Sequence, residues 1–229
     1  DPALVDLVND AMRAGHNQYA PMTGVPALRE AIAAKIEATY GRRYDPASEI
    51  TVTVGASQAI QSAILAVVHP GDEVIVIEPA YDCYAPAVAL SGGVVVPVAM
   101  RIDEGGYSVP WDAVRAAVTP RTRMIVVNTP HNPTGTILRQ ADLEALAAIV
   151  DGSQILVLSD EVYEHMVYEG EPHASVSRHP VLAERAFVVS SFGKAFHVTG
   201  WKVGHVAAPA ALTAEFRKVH QYNVFSVAT

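Results

Sequence analysis

Cysteine occurs once in 229 residues, at Cys83, so no internal disulfide framework exists and a reducing, cytoplasmic setting is expected. Basic residues are also in short supply: 16 Lys and Arg against 24 Asp and Glu give a net charge of -8. That balance excludes a nucleic-acid surface, which needs Lys and Arg gathered against phosphates, and serves solubility instead. The run 83–100 carries no charged residue, yet Pro86, Ser91-Gly92-Gly93 and Pro97 divide it, so it reads as helix, turn and buried strand rather than as a membrane span. A basic start followed by an apolar signal core is missing at residue 1. There is no internal repeat, no low-complexity linker, no Gly-x-Ser-x-Gly elbow and no Walker-type loop, and Gly24-Val25-Pro26 lacks a dinucleotide fingerprint. Glu161, His165 and His173 invite a metal reading, but a second close histidine is missing and no metal is expected.

With 50% hydrophobic and 17% charged residues, the chain can bury a sizeable core. Short apolar runs rich in Val and Ile recur at 50–54, 74–77, 94–98, 124–127, 155–158, 187–189 and 203–207. Unalternating runs of this kind predict strands buried on both faces. Between them, 26–40, 57–68, 82–90, 111–118 and 139–150 have helical periodicity, and so does the start, 2–13. Alternation of the two predicts an α/β fold: a mostly parallel central sheet with helices on both faces.

Only four lysines are present. Lys35 lies among helix formers and Lys218 in a polar-faced terminal helix, so both are expected to be solvated charges. Lys194 and Lys202 share the Gly-rich segment Ser190-Ser191-Phe192-Gly193-Lys194-Ala195-Phe196-His197-Val198-Thr199-Gly200-Trp201-Lys202-Val203-Gly204, directly after an apolar run. A lysine so placed suggests Schiff-base chemistry, because partial burial or a neighbouring cation favours the neutral, nucleophilic amine.

Several other segments follow predicted strands. Gly55-Ala56-Ser57-Gln58 opens a helix, where free backbone N–H groups and the helix dipole stabilise a phosphate, although a plain serine N-cap has the same appearance. Ser159-Asp160-Glu161-Val162-Tyr163 puts Asp160 at a strand's carboxyl end, where ligands of open α/β sheets bind; Glu161 reads as structural. Asn128-Thr129-Pro130-His131-Asn132-Pro133-Thr134-Gly135 is a rigid turn in which His131 reads as polar filler. Glu78-Pro79-Ala80-Tyr81-Asp82-Cys83-Tyr84 ends a further strand.

In this order these segments resemble the class I and II aminotransferases, fold-type I pyridoxal 5'-phosphate enzymes, and within them the methionine and kynurenine aminotransferase branch. The resemblance implies that Lys194 carries the cofactor as a Schiff base and then serves as general base. It implies that Asp160 pairs with the pyridine nitrogen and keeps the ring cationic, an electron sink for a carbanion. Tyr163 and Asn132 match groups that hydrogen-bond the ring oxygen, and Asn132 also a position that touches the substrate carboxylate. Tyr81 matches the aromatic residue stacked on the ring. Ala56, Ser57, Ser191 and Lys202 match the phosphate site. Many relatives have arginine where this chain has Lys202, which acts as a point charge rather than a fork. Asn17-Gln18-Tyr19 resembles the segment whose tyrosine reaches the partner subunit's phosphate, implying a homodimer with shared sites.

The implied reaction is a ping-pong amino transfer from an L-amino acid of methionine, glutamine, kynurenine or aromatic type to a 2-oxo acid. A carbon-sulfur β-lyase and the pyridoxal phosphate-binding sensor domain of a transcription regulator are the alternatives. Residues 1–229 correspond to the cofactor-binding large domain. The N-terminal arm and C-terminal small domain are expected to be absent, and the arginine that clamps the substrate carboxylate is expected beyond Thr229.

Overall fold

The computed structural model describes residues 1–168 and 170–227. Two helices come first. Helix α1 (Pro2–Arg13) starts on Asp1, whose side chain accepts from the Ala3 amide at 2.9 Å, with a proline in its first turn. Helix α2 (Pro26–Tyr40) also starts on proline and stops at Gly41, where φ is 74°, a left-handed stop glycine tolerates best. Strand and helix then alternate: β1 (Ile50–Val54), α3 (Gly55–Val67), β2 (Glu73–Glu78), α4 (Tyr84–Leu90) and β3 (Val94–Ala99). A small hairpin follows, β4 (Arg101–Asp103) and β5 (Gly106–Ser108), then α5 (Trp111–Ala116), β6 (Thr122–Asn128), α6 (Gln140–Val150) and β7 (Leu156–Asp160). The last elements are α7 (Pro180–Ala183), β8 (Ala186–Ser191), the single turn α8 (Phe192–Ala195), β9 (Val203–Ala207) and α9 (Ala210–Val224).

The main sheet has the order β1-β9-β8-β7-β6-β2-β3. Strands β3, β2, β6, β7 and β8 pair in parallel, whereas β9 runs antiparallel to both β8 and β1. The mostly parallel sheet predicted from alternation is therefore present, with one reversed strand that the apolar run 203–207 did not reveal. On one face, α3, α4 and α9 bury Ile60, Ile64, Tyr84, Val88 and Phe216 against Val76, Met124, Leu158 and Phe187. On the other, α5, α6 and α7 bury Val114, Leu143, Leu146 and Leu182 against Ile75, Ile125, Val157 and Val188, and α2 packs Ile32 and Ile36 against Ile50 and Val52. Each fully buried side chain of this size contributes about 1.5–3 kcal/mol.

The expectation that every apolar run is buried on both faces fails for 94–98. Strand β3 is the sheet edge, with Val94 49% exposed, and an edge is where Pro97, which has no N–H to donate, is tolerated. The hairpin β4–β5 was not anticipated either, because its short, exposed strands carry no apolar signal. No helix among the described residues is long and apolar enough to cross a membrane.

Candidate active site

Parallel pairing brings the carboxyl ends of β2, β6, β7 and β8 to one edge of the sheet; the reversed β9 brings its amino end to the same edge, and β1, antiparallel to β9, its carboxyl end. A cleft of about 230 Å³ opens there. Nine of the residues singled out in the sequence line it: Ala56, Ser57, Tyr81, Asn132, Asp160, Tyr163, Ser191, Lys194 and Lys202. They are contributed by segments up to about 150 residues apart in the chain. Tyr19 is not among them. It is 80% exposed and packs edge-on against Phe225, with ring centroids 5.2 Å apart.

Helix α3 meets the cleft with its amino end. Its N-cap is Val54, with no side-chain cap, so Ser57 is not a capping serine; its Oγ lies 3.4 Å from the Tyr81 hydroxyl instead. Gly55 has φ 71°, a left-handed turn at the start of α3 against which Lys202 and β9 approach closely. A Cβ on Gly204 of β9 would stand 2.8 Å from the Gly55 carbonyl carbon and 3.0 Å from the Ala56 amide nitrogen, so glycine at both positions lets backbone pass against backbone. Lys202 itself adopts φ 55°, a left-handed conformation that is costly for lysine and sets its side chain beside Gly55. Among the described residues neither Lys194 nor Lys202 has an acidic partner within ion-pair distance.

Lys194 projects from α8 with Nζ 5.6 Å from the centroid of the Tyr163 ring. Of the two settings the sequence left open for it, partial burial or a neighbouring cation, partial burial is not the one present: Lys194 is exposed on the single turn α8. The neighbouring cation is present as Lys202 across the same cleft.

Asp160 is the buried member of the set, 4% exposed. Burial pushes its carboxyl up to about 6, even though the Tyr84 hydroxyl donates to Oδ2 at 2.7 Å and the Val162 amide to Oδ1 at 3.2 Å, both of which favour the carboxylate; the adjacent Glu161 adds to the rise. A buried carboxylate at a cleft floor, attended by a phenol, an amide and a second carboxylate but no cation, suits a ligand that brings its own protonated nitrogen. The uncapped end of α3 with Ser57, Ser191 and Lys202 suits a phosphate. On these two observations the residues fit pyridoxal 5'-phosphate.

Two further residues complete the floor. The buried Asn128 donates from Nδ2 to the Asp160 carbonyl at 2.8 Å and accepts the Asn132 amide on Oδ1 at 2.7 Å. Both Asn128 and Tyr84 stand within segments already singled out, but an internal carboxamide or phenol leaves no sequence mark that separates it from packing.

Behind the cleft lies a buried polar cluster that sequence reasoning missed. Glu164 accepts hydrogen bonds from Lys35, from the Tyr40 hydroxyl and from the Ser190 hydroxyl, the last at 2.6 Å. Burial opposes its ionisation, yet the Lys35 charge and these bonds prevail and hold its carboxyl down at about 2. Lys35 is thus an ion-pair partner and not the solvated charge that its helical setting suggested, whereas Lys218 is exposed beside Glu215. His131 is also buried, with Nδ1 2.8 Å from the Thr134 hydroxyl, so it is a packed group of the turn. Glu161 pairs with His173 at 2.9 Å and accepts from the Ser159 hydroxyl, the structural role expected of it. No three His, Cys, Asp or Glu side chains among the described residues gather as metal ligands.

A family model for aminotransferase class I and II matches residues 2–229. The chain is 55% identical to a methionine aminotransferase of Escherichia coli over 94% of its own length and 55% of that protein's. It is 39% identical to mouse kynurenine–oxoglutarate transaminase 1, covering 93% of this chain and 52% of the relative. Among solved structures, that of N-succinyldiaminopimelate aminotransferase from Mycobacterium tuberculosis superposes with a TM-score of 0.97 at 43% identity, covering 100% of this chain and 59% of the other. The chain spans about half the length of the curated relatives it matches.

Proposed function

We propose that this chain, which belongs to the aminotransferase class I and II family, is the pyridoxal 5'-phosphate-binding large domain of an enzyme that moves an amino group from an L-amino acid to a 2-oxo acid. The observation that carries the reading is the convergence of Lys194, Asp160, Asn132 and Tyr163 on one cleft at the carboxyl edge of the sheet. Methionine, glutamine, kynurenine and aromatic amino acids are the substrate class, on the strength of the 55% identical methionine aminotransferase and the kynurenine transaminase.

When bound, pyridoxal 5'-phosphate supplies an electron sink for negative charge developing at the substrate α-carbon. The amino end of α3, with Ala56, Ser57, Ser191 and Lys202, would hold the phosphate. Tyr81 would cover the ring and keep water from it, Asn132 and Tyr163 would donate to the ring oxygen, and Asn132 would also meet the substrate carboxylate. Asp160 would accept a hydrogen bond from the protonated ring nitrogen and keep the proton there. Lys194 Nζ would anchor the cofactor at rest, then take the α-proton from the substrate and deliver it to the cofactor carbon, a transfer its exposed place beside the cleft permits.

The assembly we propose is a homodimer with shared sites. Helix α1 buries none of its residues and leaves Leu7 66% exposed, and Tyr19 stands on the same stretch of chain. A cytoplasmic location accords with the single cysteine, whose half-buried thiol is pushed up to about 12 mainly by desolvation.

The test is spectroscopic. Full-length protein loaded with pyridoxal 5'-phosphate should lose its visible cofactor band on adding L-methionine and regain it on adding a 2-oxo acid. Lys194→Ala should abolish both changes. Turnover close to wild type in Lys194→Ala overturns the assignment, and release of ammonia without any oxo acid moves the reading to the lyase.

A further inference from the structure

Tyr84 touches the site from inside the fold. It is 2% exposed and packed at the start of α4 in the same apolar cluster as Val126 and Leu158, so its phenol has no access to water. Among the described residues its hydroxyl has one hydrogen-bond partner, Asp160 Oδ2, to which it donates at 2.7 Å. Burial and the facing carboxylate drive the phenol far above its ordinary range, so Tyr84 stays protonated and is always the donor. The bond is therefore charge-assisted and directional. The Tyr81 ring meets Tyr84 edge-on, with centroids 5.8 Å apart, which holds the phenol in place.

We propose that Tyr84 is the positioning residue of Asp160: by occupying Oδ2 from the core it fixes the plane of the carboxylate and favours its ionised form against the burial that opposes it. The inference rests on the role given to Asp160 above, because an ionised carboxylate matters there only if a protonated nitrogen is to meet it. The other groups that face Asp160 do not substitute for Tyr84. Glu161, next in the chain, opposes ionisation, and the Val162 amide reaches only Oδ1. Tyr163, Lys194 and Lys202 line the open side of the cleft, where solvent attenuates them.

The test reads Asp160 directly. In cofactor-free full-length protein labelled with ¹³C at the aspartate carboxyls, the Asp160 resonance is identified by its absence in Asp160→Asn. Tyr84→Phe should raise the titration midpoint by about one pH unit, the scale of a lost hydrogen bond to a charged group. Replacing Tyr84 by 3-fluorotyrosine, a more acidic donor of nearly the same shape, should lower it, and this second protein decides the matter if Tyr84→Phe folds poorly. A midpoint that stays at the wild-type value in the variants that fold overturns the proposal. Failure of the functional reading shows elsewhere: a Lys194→Ala enzyme that still turns over would leave the titration result intact.

Discussion

Asn128 and Asp160 stand opposite each other at the ends of β6 and β7, and the Asn128 carboxamide donates to the Asp160 main-chain carbonyl at 2.8 Å. The Thr129 amide donates to the same oxygen at 3.0 Å, so the last residue of one strand is held twice by the next. The other end of the carboxamide receives the Asn132 amide. One buried side chain thus ties the carboxylate at the cleft floor to the turn that carries Asn132.

Replacing Asn128 by alanine leaves the part-buried Asn132 amide without its acceptor and removes a support of the Asp160 carbonyl, at a cost of about 1–3 kcal/mol. Asn128→Ala should lower the urea midpoint with an unchanged slope, and should weaken pyridoxal 5'-phosphate binding in a fluorescence titration. Full cofactor affinity in the variant would mean that Asn132 and Asp160 keep their places without it.

What could be read from the sequence was what repeats or what stands at a strand's end. Apolar runs and helical periodicity mark the parallel layers, and Lys194, Asp160 and Asn132 each follow such a run. What could not be read depends on distant parts of the chain. The partner of Lys35 is Glu164, 129 residues away, and the reversal of β9 becomes evident only from its pairing with β1 and β8. Tyr84 was hidden for a different reason: three residues from Tyr81, it looks equally apolar, and only the fold turns one ring to the cleft and the other hydroxyl to Asp160.

Asp160 should destabilise the cofactor-free protein. Its carboxyl is raised by burial from an ordinary 3.8 to about 6, so the folded state binds more protons than the unfolded state between those values. Stability is therefore lost as pH rises through that window, and the loss is complete above it. Asp160→Asn should stabilise the cofactor-free protein at pH ~7 by about 1–3 kcal/mol, and the advantage should shrink towards pH ~4. Equal melting temperatures of the two proteins at both pH values would refute a raised carboxyl.

Glu164 acts with the opposite sign. Although burial opposes its ionisation, Lys35 and three hydrogen bonds bring its carboxyl down from 4.5 to about 2, so its contribution is fully present above the ordinary value and is lost as pH falls through the window below it. Glu164→Gln keeps the shape and a hydrogen-bonding oxygen but removes the charge. It should cost about 1–3 kcal/mol at neutral pH, and the difference from wild type should narrow as pH falls from ~4.5 towards ~2. A difference that does not change with pH would assign the cost to packing rather than to the ion pair.

Gly204 tests whether the close passage of β9 against the start of α3 shapes the phosphate end of the cleft. A Cβ there would come within 2.8 Å of the Gly55 carbonyl carbon, 2.9 Å of the Ser190 oxygen and 3.0 Å of the Ala56 nitrogen. All three are backbone atoms, so no side chain can swing aside. Strand β9 must move away from β8 or from the Gly55 turn, and overpacking of this kind costs about 1–3 kcal/mol. Because Ala56, Ser191 and Lys202 border the contact, Gly204→Ala should also weaken cofactor binding, by roughly tenfold if about 1.4 kcal/mol of the strain falls on the bound state. Gly41→Ala supplies the comparison. Gly41 has φ 74° with nothing within 4 Å of an added Cβ, so alanine there strains the end of α2 by about 1–2 kcal/mol without approaching the cleft. Both variants should melt earlier, but only Gly204→Ala should release pyridoxal 5'-phosphate more readily; equal retention in the two would show that the β9 contact supports the fold and not the site.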